Sequence, residues 1–155
     1  LVGYDHDTVD SFDAAVSFAQ RHRFMLGNFN PLTPMPGTPL LDRLRAEGRL
    51  IWDRWWLADD YRYGHATFRP KGMTADELTA GCFEAREKFY APLSIAKRML
   101  DPMTNAKSLH RIGLHLATNL ISRREILAKQ GLSLGEPYPL EPLHAPRRAS
   151  AGGIA

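Results

Sequence analysis

The sequence has one cysteine, Cys82, in 155 residues. That excludes an internal disulfide framework, and with it any multi-cysteine cluster or zinc site built within this chain. Long apolar runs are missing too. The longest, Leu109 to Ile121, is interrupted by His110, Arg111 and His115 and falls short of the roughly 20 residues that a spanning helix needs. No cleavable signal pattern and no internal repeat is visible. Neither sign of charge is scarce: 20 Lys and Arg against 17 Asp and Glu leave a net charge of +3. That mild basicity permits nucleic acid or anionic membrane as a partner without arguing for either. These absences lead to the expectation of one modest domain in a reducing, cytoplasmic setting.

What is present begins with "LVGY", which reads as the end of a buried strand and has no initiator methionine, so a longer parent protein is expected. Asp7 or Thr8 is placed to cap a helix over 9 to about 21, where Val9, Phe12, Val16 and Ala19 recur at helical spacing. "FMLGNF" reads as a second strand, giving a parallel βαβ unit with a right-handed crossover. A proline turn follows, then a short helix capped by Thr38, opened by Pro39 and ended by Gly48. Residues 49 to 73 are rich in aromatics and arginine without clear period, with one short strand at "ATFR". Thr74 and Glu77 form a capping box before a stripe of Leu78, Cys82, Ala85 and Phe89. Shorter and longer helices are expected over about 93–100 and 105–130, and a disordered tail over 132–155.

The second strand carries the sharpest physical signal. With period two, Met25, Gly27 and Phe29 share one face while Leu26, Asn28 and Asn30 share the other. A strand buried on both sides should be apolar throughout, so paired amides at its carboxyl end point to a wet lumen. Asn30 alone could simply start the turn. "DHD", Asp5 to Asp7, fits either a polar ligand contact or helix capping. A metal there lacks companion ligands. Trp52, Trp55 and Trp56 with Tyr61 and Tyr63 could stack bases or sugars, though such clusters more often seal a loop. Arg123, Arg124 and Lys129 suit a helix carboxyl end or a membrane surface. Cys82, on an apolar stripe, reads as buried rather than nucleophilic.

Two motifs carry a resemblance. Gly3-Tyr4-Asp5-His6-Asp7-Thr8 and, about 30 residues later, Pro34-Met35-Pro36-Gly37-Thr38-Pro39 resemble the end of the radical S-adenosylmethionine barrel. "GYDHDT" and "RWWLADDYRYGHATFRPKGMTADEL" resemble its subgroup with an amino-terminal cobalamin-binding domain. The resemblance, covering residues 1 to about 130, implies an α/β fold: the last βαβα portion of the barrel over 1–48, then a mainly helical extension over 49–131. It implies cofactor contacts at Gly3, Tyr4, Asn28, Asn30, Leu32 and Thr33, with no catalytic or metal-binding residue in this chain. S-adenosylmethionine, a [4Fe–4S] cluster and cobalamin belong to the intact enzyme; the CxxxCxxC motif for the cluster is not in this chain. The reaction implied is radical C–H activation leading to methyl transfer, ring formation or rearrangement. The implied substrate is a small molecule or lipid, the partner is the remainder of the barrel, and no nucleic acid is expected. The chain alone is expected to be inert. Two rivals stand beside this: a docking module for membrane or nucleic acid, and a small hydrolase using Asp5, His6 and His65.

Overall fold

The computed structural model describes residues 1–133. Five α-helices carry the fold: α1 (Asp10–Arg21), α2 (Pro39–Ala46), α3 (Ala75–Phe89), α4 (Pro92–Met99) and α5 (Leu109–Lys129). A 3₁₀ turn spans Trp55–Leu57.

Local chemistry sets most of the helix ends. The Thr38 hydroxyl accepts from the Leu41 N–H at 3.4 Å, and Pro39 occupies the first turn of α2, where its missing N–H is no loss. Both halves of the Thr74–Glu77 capping box form at the start of α3. Pro92 stands at the start of α4, and the Ser108 hydroxyl caps α5 by accepting from the Arg111 N–H. Helix α1 differs from expectation. Neither Asp7 nor Thr8 caps it, and Val9 at its N-cap makes no side-chain bond. The Asp7 carboxylate turns back instead and accepts from the Gly3 and Tyr4 N–H groups, both at 2.9 Å. Gly3 is in the left-handed region at φ +115°, and that closes the loop.

The expected α/β fold, a barrel portion of two parallel strands, is not what forms: the described residues are helical, with no strand. Val2 and Pro31 make one isolated parallel bridge, in which the Leu32 N–H donates to the Val2 carbonyl at 2.7 Å. The expected strand at "ATFR" is likewise one antiparallel bridge, Leu50 to Phe68. The physical reason lies in where the main-chain bonds of the "FMLGNF" segment go. Arg98 donates to the carbonyls of Phe24 and Met25, Asn119 donates to Met25, Tyr90 bonds both main-chain groups of Gly27, and Arg86 donates to Phe29. Side chains from α3, α4, α5 and the turn between them satisfy an extended segment that periodicity alone assigns to a sheet.

The core joins Val2, Phe12, Val16 and Phe29 to Phe68, Leu78, Cys82 and Phe89. It therefore draws on both sides of residue 48. The tryptophans seal a loop. Trp55 and Tyr61 meet at 5.3 Å between ring centres, and the Trp55 indole N–H donates to the Pro34 carbonyl at 2.8 Å, holding the proline turn down. The expected tail falls, except for residues 132 and 133, outside the described residues.

Candidate functional site

Between α3, α5 and the 24–30 segment lies a polar cleft of about 200 Å³, lined by Asn28, Asn30, Tyr63, Arg86, Ser122, Glu125, Ile126 and Lys129. Its centre is Arg86, a buried residue of α3 that is only 5% exposed. The Arg86 Nε–H donates to the Phe29 carbonyl and Nη2 donates to the Asn30 Oδ1, each at 2.8 Å. Nη1 makes no hydrogen bond among the described residues. Burial pulls the Arg86 pKa below its ordinary value, and none of the ion pairs among the described residues supplies it with a carboxylate. Gly64, at φ +87°, makes room for it: a Cβ there would sit 2.8 Å from the Phe83 ring and 3.3 Å from Nη1. Glu125 is engaged by Lys129 at 3.4 Å. A second, more apolar hollow of about 210 Å³ shares Arg86 and Ile126 with the first and adds Glu87, Tyr90, Arg123 and Leu127. A fixed, desolvated guanidinium next to two amides and an apolar hollow suits a ligand with an anionic or carbonyl group on an apolar body.

The sequence-derived residues divide. Asn28 and Asn30 line this one cleft. Gly3, Tyr4, Leu32 and Thr33 do not. Gly3 faces the core, where a Cβ would lie 3.0 Å from Leu78 and 3.4 Å from Phe68. Leu32 packs against that core, the Thr33 hydroxyl donates to the Pro31 carbonyl, and Tyr4 lies exposed with its ring stacked on His6. Asp5 sits among Arg43, Arg49 and Lys71 at 2.9, 3.0 and 3.3 Å. The Arg49 hydrogen bond, aided by the other two cations, holds its carboxyl down at about 2.

Arg86 escaped the sequence reading although its signal was there. It follows Cys82 by four residues and precedes Phe89 by three, so it lies on the apolar stripe of α3, where a charge needs a reason.

The residues do not fit an iron–sulfur cluster. Such a cluster takes several thiolates, and Cys82 is fully buried with its thiol pushed up to about 11 by desolvation. No group of three or more His, Cys, Asp or Glu side chains among the described residues could hold a metal ion. None of the described helices is long and apolar enough to cross a membrane.

The part of the chain from α2 onward matches a recognised family. The model of the domain of unknown function DUF4070 matches residues 38–133, more than half of the chain, and the chain belongs to that family. Over 100 residues it is 31% identical to the bacteriochlorophyllide d C-12(1)-methyltransferase of Chlorobaculum tepidum, a match covering 64% of this chain and 21% of that protein. Over 98 residues it is 30% identical to the hopanoid C-2 methylase of Rhodopseudomonas palustris, covering 63% of this chain and 17% of that protein. The similarity is distant, and the match spans about a fifth of each relative's length. No solved structure matches.

Proposed function

We propose that this chain is the carboxyl-terminal part of a cobalamin-dependent radical S-adenosylmethionine enzyme that methylates a carbon of a large, mostly apolar substrate. The observation that carries this reading is the shared relationship to two proteins named for methyl transfer, in each of which the match covers only a small part. Their named substrates, a bacteriochlorophyllide and a hopanoid, are both large and ring-based. A hollow in which an apolar wall meets a fixed arginine accords with a substrate of that kind.

In such an enzyme, S-adenosylmethionine and the metal cofactors supply the radical and the methyl group. Among the described residues no group of side chains fits a metal ion, and none of those steps is assigned to this chain. Its own part is binding and orientation. Arg86, held by the Phe29 carbonyl and the Asn30 amide oxygen, offers a guanidinium whose position is fixed before any ligand arrives. Asn28 and Asn30 bring amides to the same cleft, and Leu127 and Tyr90 line the adjoining apolar hollow.

Anaerobic reconstitution tests the division of labour. The chain alone, given iron, sulfide and labelled S-adenosylmethionine, should acquire no stoichiometric cluster absorbance and transfer no label. The DNA directly upstream of the Leu1 codon should encode an in-frame CxxxCxxC run, and the longer product should methylate. A cluster that assembles on this chain and is abolished by Cys82→Ala would overturn the proposal.

A further inference from the structure

Helix α5 is built inside out. Its two fully buried residues are polar, His115 and Asn119. Its leucines face away from the fold: Leu109 is 87% exposed, Leu116 41%, Leu120 53% and Leu127 51%. Those four are spaced by seven, four and seven residues, so they form a single stripe along the helix. Beside the stripe, Leu116 and Leu120 share a shallow trough of about 140 Å³ with Ile95, Ala96 and Met99 of α4. Leu93 and Leu100, three residues before and four after Ala96 on the same face, are 66% and 64% exposed. Scattered surface leucines need no explanation, but a contiguous apolar strip on two adjacent helices does.

The charge around this strip selects its occupant. Besides the buried Arg98, residues 92 to 129 hold six basic side chains against two acidic ones, Asp101 and Glu125. Two copies meeting through this face would bring like charges together, whereas a surface with an apolar interior and anionic headgroups complements both features. We propose that the α4–α5 face docks on an anionic lipid bilayer, with the leucine strip sunk at the headgroup boundary and the surrounding cations, Lys97 and Lys107 among them, in the headgroup layer. This inference stands apart from the catalytic reading: of the strip only Leu127, at its far end, also borders the hollow beside Arg86, and Leu116 and Leu120 do not.

Flotation of the 155-residue chain with phosphatidylcholine–phosphatidylglycerol vesicles tests it. The chain should rise with those vesicles, should stay behind with pure phosphatidylcholine, and should be released by salt. Leu116→Ser with Leu120→Ser should lower partitioning by about tenfold or more, with only a small drop in the helical melting temperature because both side chains are about half exposed. Lys97→Glu and Lys107→Glu should each cost about fivefold, a test that stays informative even if the leucine variant folds poorly. Indifference to anionic vesicles, equal binding to neutral ones, or a solution dimer dispersed by the serine variant would each overturn the proposal.

Discussion

The two halves of this molecule are held together by different forces. Helices α1 and α3 meet through Phe12, Val16, Leu78, Cys82 and Ala85 in one apolar cluster. The buried members of that cluster include no residue of α4 or α5, and α5 reaches it only through partly buried Ile126. The α4–α5 layer buries little apolar surface beyond Ile95 and is fixed mainly by hydrogen bonds. Arg98, fully buried, donates from Nη1 to the Phe24 and Met25 carbonyls and from Nη2 to the Phe89 carbonyl and the Asn119 amide oxygen. Its guanidinium also lies 3.7 Å from the Phe89 ring centre. Asn105 ties the loop before α5 to the Arg23 and Arg98 carbonyls. Apolar contact is additive and forgiving, while a buried hydrogen-bond hub is directional and fails as a unit. The first half should tolerate polar edits at its margins, and the second should come loose when one side chain is lost.

Arg98→Ala presents the hardest test of that contrast. It leaves three main-chain carbonyls and one amide oxygen without this donor in a dry site, and removes the guanidinium over Phe89. At about 1–3 kcal/mol for each truly orphaned group, partly offset by relaxation and entering water, the net loss should be about 3–5 kcal/mol. Denaturant unfolding measures it. Limited proteolysis should then cut around α5 while α1 to α3 stay protected. Simultaneous loss of protection in both halves would show that the division is wrong.

Gly81→Ala puts two effects of opposite sign in one substitution. By helix propensity alone, alanine in place of a mid-helix glycine should stabilise α3 by about 1 kcal/mol. But a Cβ at Gly81 would run into the Phe12 ring, which is itself buried against α3. A ring in a packed interface has little room to retreat, and overpacking costs about 1–3 kcal/mol. Packing should win, with a net destabilisation of about 1–2 kcal/mol in thermal unfolding. A stabilised variant would mean that the α1–α3 interface is looser than a packed core.

Much of the helical part was legible because its signals are local. The Thr38 and Thr74 caps, the Leu78–Cys82–Ala85–Phe89 stripe and the prolines at the heads of α2 and α4 act within a turn or two. The strands were misread because a strand is a pairing, and sequence period reports only half of it. "FMLGNF" alternates correctly, yet its partners are Arg86, Tyr90, Arg98 and Asn119, which lie 57 to 94 residues away. The cleft was half legible. Asn28 and Asn30 stood out as amides at a strand end, but Ser122 and Lys129 reach the site only through the docking of α5. The polar residues on buried helix faces, Arg86 within the apolar stripe of α3 and His115 and Asn119 opposite the leucines of α5, were the overlooked clue.

Acidification offers the gentlest separation of the two halves. His115 is fully buried in the polar layer, and its ring nitrogens make no hydrogen bond of ordinary geometry. Burial first, and the nearby Arg98 charge second, lower its pKa from the usual 6.5, with a weak main-chain contact to Ile95 working the other way. Its folded pKa is below the unfolded one, so the unfolded chain binds more protons as pH drops, and stability falls once pH passes below about 6.5. Asp5, held among Arg43, Arg49 and Lys71, behaves differently. Its carboxyl is held at about 2 against an ordinary 3.8, so its contribution is complete above 3.8 and lost only as pH falls through about 2. His65, also lowered by burial, adds to the His115 trend for the whole fold but lies against Phe83, away from the Arg98 hub. Amide hydrogen exchange, corrected for intrinsic rates, should therefore show α5 loosening between neutral pH and about 5 while α1 keeps its protection. His115→Leu should flatten that difference, since nothing remains there to protonate. If α1 and α5 loosen together, or if the leucine variant keeps the full pH response, the polar layer is not the separately held part that its hydrogen bonds describe.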